Sequence, residues 1–183
     1  MLHALVLAAA MTPTPSMGTM SGSHGRYYGQ PNLTLTTQMI EAGGGPTAFS
    51  SKKLFAYLAG SSTAAEAASL TKRFGATNID QFFKTFDAFV HLAVVQVQKQ
   101  HIALPKVTVP KGPELAGALY AAGVMPDGRF DVGYMLEHLL SRPMHVTLMH
   151  EANASSAVGP QNNAEFHIIL TSAMHDLHTL YSK

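Results

Sequence analysis

The chain has 183 residues, of which 46% are hydrophobic and 13% charged, enough apolar material for one respectable core. Twelve basic against eleven acidic side chains leave a formal charge of +1, and the doublets Lys52-Lys53 and Lys72-Arg73 stand alone. A nucleic-acid binder would show a basic stripe, so that class is set aside. The absence of cysteine excludes disulfides, zinc knuckles, thiol nucleophiles and cysteine-held iron–sulfur clusters together.

Residues 1–10, Met-Leu-His-Ala-Leu-Val-Leu-Ala-Ala-Ala, form a short apolar run that resembles the hydrophobic part and small-residue end of a secretory signal, although a basic leading segment is missing. The expectation is a periplasmic or secreted protein. No later stretch approaches the 18 or so apolar residues of a spanning helix. Residues 11–31, rich in Pro, Gly, Ser and Thr, read as a flexible arm. Met17, Met20 and His24 within it suit copper(I), a soft ion that takes thioether and imidazole. Tyr27-Tyr28 near its end reads either as a partner-binding anchor or as a pair of ordered or exposed tyrosines.

From residue 32 to 183 a single helical domain is expected. Residues 33–42 make a short helix stopped by Gly43-Gly44-Gly45-Pro46, and residues 52–59 a second closed by Gly60. Thr63-Ala64-Ala65-Glu66 has the capping-box pattern at the start of a third, ending at Gly75. The fourth and longest begins at Thr77 or Asn78 and runs to about Ile102. Its Phe82, Phe86, Phe89, Val90, Ala93, Val94 and Val97 fall on one arc at 100° per residue. Pro105, Pro110 and Pro113 mark an extended connection, and residues 113–122 a short helix. A sixth helix is expected from about Asp131 to Ala152, with Pro143 as a kink or break, and a seventh from about Asn162 to Tyr181. No convincing strand is present. The predicted architecture is all-α, a bundle of about three long helices with several short helices covering it.

Six of the ten histidines lie between His138 and His178, on the last two long helices. Histidine titrates near neutral pH and is the commonest metal ligand. Drawn as one straight helix, the sixth puts Leu136, Leu139 and Val146 on its apolar face and stacks His138 and His145, two turns apart, opposite. On the seventh, His167 and His178 border the stripe Phe166, Ile169, Leu170, Ala173, Met174, Leu177 and Tyr181. Antiparallel packing would bring the two rows together, as bundle proteins do to hold a metal or haem. His138, His145, His167 and His178 are therefore the candidate ligands to a transition metal or haem, with Met149 beside them. The chain lacks the Glu-x-x-His of di-metal bundles and the His-Glu-x-x-His of metalloproteases.

The alternative is a protein-interaction or structural domain without a ligand, its histidines incidental. A third class, acid–base chemistry by Asp87 and His91 one turn apart, lacks a nucleophile to accompany it. A protein partner or small ligand is compatible with the composition. Asn32 and Asn153 sit in glycosylation sequons, which matter only in a eukaryotic secretory setting.

Overall fold

A computed structural model describes residues 26–183, and the apolar run 1–10 and the Met17, Met20 and His24 group lie outside the described residues. The described part is all-helical: α1 Leu33–Ala42, α2 Ser51–Ala59, a 3₁₀ turn Gly60–Ser62, α3 Thr63–Phe74, α4 Ala76–Lys99, α5 Gly112–Gly123, α6 Val132–Leu140, α7 Arg142–Ala154 and α8 Gly159–Tyr181. An isolated bridge between Val124 and Phe130 is the one ladder contact among the described residues. No helix among them is long and apolar enough to cross a membrane.

Local chemistry sets these boundaries. Asn32 caps α1 with its side-chain oxygen on the Leu35 N–H (3.0 Å), and Asp131 does the same for α6 through Tyr134 (2.7 Å). The first N–H of α2, that of Ser51, is taken by the Asp87 carboxylate of α4 at 2.6 Å, so a tertiary contact caps this helix. The capping box expected at Thr63 does not form. Thr63 already lies inside α3, and its hydroxyl donates back to Gly60 O (2.6 Å). Glu66 is instead buried at 5% exposure.

One hydrophobic cluster runs from Leu35 to Leu177. Its centre is a phenylalanine seam between α4 and α8, where Phe166 packs on Phe82, Phe86 and Phe89 at 5.8, 5.3 and 5.5 Å between ring centroids. Each such pair adds roughly 0.5–1.5 kcal/mol beyond its buried area. The buried stripes of both helices fall on the residues their periodicity predicts, Tyr181 alone being half-buried. On the other side α5 approaches α2 at backbone distance. A Cβ built at Gly112 would stand 2.0 Å from Tyr57 O, so only glycine fits there.

The expected third long helix is absent, because the chain breaks between α6 and α7. The break is at Ser141, not at Pro143, which sits harmlessly in the first turn of α7. Ser141 adopts φ 78°, ψ 152°, a region essentially reserved for glycine. Its hydroxyl is buried with no hydrogen-bond partner. Backbone strain and an unsatisfied buried hydroxyl both point the same way, so Ser141→Gly is expected to raise stability by about 1–2 kcal/mol in urea unfolding. A loss of stability instead would mean that the hydroxyl holds something essential.

Candidate functional site

The break at Ser141 undoes the straight-helix projection on which the histidine row rested. Beyond it the faces exchange: His145 is buried with Met144, Leu148 and Ala152, whereas Val146 is 42% exposed. Residues 138 and 145 no longer share one helix, so their spacing of seven carries no geometric meaning across the turn.

Each candidate ligand has its own surroundings. The His138 ring stacks face to face on Tyr27 of the arm (4.2 Å, 15° between planes), and its Nδ1 lies 3.1 Å from Ala122 O of α5. His145 places Nδ1 3.8 Å from Oε1 of Glu137, and its buried Nε2 has no hydrogen-bond partner. His167 meets the edge of Phe166 at 5.7 Å. His178 is exposed and lies flat on Tyr120 (4.0 Å, 2°), which stacks in turn on Phe130 at 4.8 Å. Met149 lies 3.9 Å from Asn163 Nδ2, which donates to Asn153 at 2.8 Å. Among the described residues, no three of histidine, cysteine, aspartate and glutamate form a group that could hold a metal ion. His138 thus meets the arm and α5, His145 faces Glu137 across the Ser141 turn, and His178 lies on Tyr120, so these three proposed ligands have different immediate neighbours.

Asp87 and His91 also part ways. Asp87 serves the Ser51 N–H, whose own hydroxyl donates to Phe83 O at 3.0 Å, and His91 is exposed on α4.

Two buried carboxyls, neither singled out by the histidine pattern, form the polar centres of the molecule. Glu137 of α6 accepts the Tyr27 N–H at 2.7 Å on Oε2, while Arg142 and His145 approach Oε1 at 3.4 and 3.8 Å. Burial alone would raise its pKa, but the His145 ring, the Tyr27 N–H and the Arg142 guanidinium together hold it below the ordinary carboxyl range. It is an ionised group gripped from three directions. An acidic residue on a helix otherwise lined with Val132, Met135, Leu136, Leu139 and Leu140 is the sequence signal that could have marked it.

Glu66 of α3 is the opposite case. Burial, aided by the charge of Asp176, pushes its pKa up to about 7, against a smaller lowering by Arg73. Asp176 is paired with Arg73, and Glu66 Oε1 is buried without a hydrogen-bond partner. Beside it, Tyr181 at the end of α8 donates its hydroxyl to Leu58 O, and burial with the Glu66 charge raises its own pKa. In the unfolded chain the Glu66 carboxyl ionises near its ordinary 4.5. The native state thus holds the proton more tightly. That stability is complete below 4.5 and is lost as pH rises through about 7. Glu66→Gln, neutral at all pH, should therefore unfold about 1–2 kcal/mol later than the wild type at pH 8 and within error of it at pH 4.5, in paired urea titrations. Equal curves at both pH values would remove the buried-proton account.

Comparison with known protein families, with curated proteins and with solved structures finds no match for the chain.

Proposed function

We propose that this all-helical chain acts as a protein-interaction or structural domain that works without a bound metal or haem. The observation that carries the reading is the separate engagement of the four histidines: His138 on Tyr27, His145 at Glu137, His167 against Phe166 and His178 on Tyr120. Imidazoles used in this way fill the ordinary roles of boundary residues, stacking and hydrogen bonding rather than converging on an ion. Charge also fits the reading. The exposed ion pairs Lys52–Asp80 (3.4 Å) and Arg129–Asp127 (2.7 Å) are scattered over the described residues and each neutralises its own cation.

The test is direct. Protein purified without chelator is expected to hold far less than one equivalent of any transition metal by elemental analysis. It should show no Soret band after haem addition, and its melting temperature should be unmoved by zinc or copper at tenfold excess, roughly the level where a specific site would register. A stoichiometric metal, or a melting temperature that climbs with one, would replace this reading with the histidine centre.

The domain is also proposed to act outside the cytoplasm, on the strength of the signal-like residues 1–10. Intact-mass measurement of the chain recovered from the periplasm or medium should find it shortened near Ala8-Ala9-Ala10. Full-length chain confined to the cytosol would end the proposal.

A further inference from the structure

The arm does not simply lead into α1. Tyr27 reaches 110 positions along the chain to give its backbone N–H to Glu137. Its ring is laid on His138 and meets Tyr134 edge-on at 5.6 Å. Next to it, Tyr28 lies under the Arg142 guanidinium at 5.4 Å, and Asn32 N–H donates to His138 O at 2.8 Å. The notch on α6 and the first turn of α7 therefore offers a carboxylate for a main-chain donor, an imidazole face for an aromatic ring, and a cation for a second ring.

The receiving side is held independently of what occupies it. Glu137 is fixed from behind by Arg142 and His145, and the His138 ring is anchored on Ala122 O. Removal of the arm would leave an acceptor and a ring face already in position, the condition under which binding loses least entropy. The occupant, by contrast, stays in place through a narrow device. Tyr27 folds over Gly29, where an added Cβ would lie 2.2 Å from Oη and 2.3 Å from Cζ, and Tyr27 Oη donates to Gln30 O at 3.2 Å. The segment is non-helical, and its neighbours Arg26, Tyr28 and Gln30 are exposed.

We propose that the Glu137–His138–Tyr134 notch is a recognition site for a non-helical peptide segment carrying a tyrosine, and that Arg26–Gln30 of the arm occupies it in cis as a built-in blocker. The site reads one main-chain N–H and one aromatic ring, and the tyrosine hydroxyl braces its own segment on Gln30 O, so a tyrosine in a chain free of helix at that point suits it. An incoming segment of the same chemistry must displace the arm, and its apparent affinity is lowered by the fraction of molecules in which the arm is seated. This inference rests on the interaction-domain reading above and gives it a surface and a class of partner.

The experiment uses the full-length chain, its Gly29→Ala variant, and a fluorescent peptide with the sequence of residues 21–32, followed by anisotropy. Gly29→Ala places a Cβ against the Tyr27 ring and forces that ring to shift from where it stacks on His138. The variant is expected to bind the peptide saturably and roughly tenfold more tightly than the wild type, as arm occupancy falls. The same peptide with alanine in place of its first tyrosine should bind at least roughly tenfold more weakly, the loss of one stacked ring and its pocket. Adding Glu137→Ala to Gly29→Ala should abolish binding. If that double variant is unfolded by circular dichroism, Gly29→Ala with Tyr134→Ala takes its place and should weaken binding severalfold. No saturable binding to Gly29→Ala, or binding indifferent to the tyrosine, overturns the notch. Neither result depends on metal content, so failure here is distinguishable from failure of the metal-free reading.

Discussion

The turn at Ser141 is the constraint from which most of the molecule's chemistry follows. Had α6 and α7 continued as one rod, His138 and His145 would have stacked on one side and Val146 would have been buried with Leu139. A residue held at φ 78°, ψ 152° ends α6 at Leu140 and restarts the helix at Arg142 on a new axis. The second segment consequently buries His145 and presents Val146 to solvent. The same change of direction lets Arg142 and His145 look back at Glu137, a residue on the preceding helix. A backbone event of one residue thus converts a row of imidazoles into a carboxylate held by two bases. The apolar residues of α6, α7 and α8 pack around that arrangement and supply the energy that sustains it.

Glu137 and Glu66 illustrate how burial alone does not decide ionisation. Both are less than one-tenth exposed. Glu137 has a backbone donor, a guanidinium and an imidazole within reach, and these outweigh desolvation. Glu66 has Arg73 only at second hand, since that guanidinium is paired with Asp176, whose negative charge adds to the penalty of burial. One carboxyl stays charged and organises an entry segment. The other favours its neutral form and sits where α3 meets the end of α8.

Much of the fold was legible in the residues. The phenylalanine and valine arc of α4 and the stripe Phe166 to Leu177 of α8 repeat at helical period, and burial follows them closely. Glycine marked several helix ends correctly, as at Gly43, Gly60 and Gly75. What could not be read was tertiary in origin. Thr63-Ala64-Ala65-Glu66 matches a capping box, yet the carboxylate is turned inward because the neighbouring α8 covers it. Pro143 drew attention to the right region of the sixth helix, but proline in a first turn breaks nothing, and a serine in a glycine-like conformation has no local signature. The histidine row was extrapolated from an uninterrupted helix, and the break at Ser141 removes that geometric premise. Tyr27-Tyr28 was visible as a doublet with two readings. The contact of Tyr27 with Glu137, 110 positions away, has no local signature.

The proton on Glu66 has a consequence for the molecule as a population. With a titration midpoint of about 7, a neutral solution holds two chemical species side by side, one protonated beneath α8 and one not. They differ by a full unit of charge, as large as the whole chain's formal +1. Any property averaged over such a sample, electrophoretic mobility among them, is therefore a weighted mean whose weights move with small drifts in acidity.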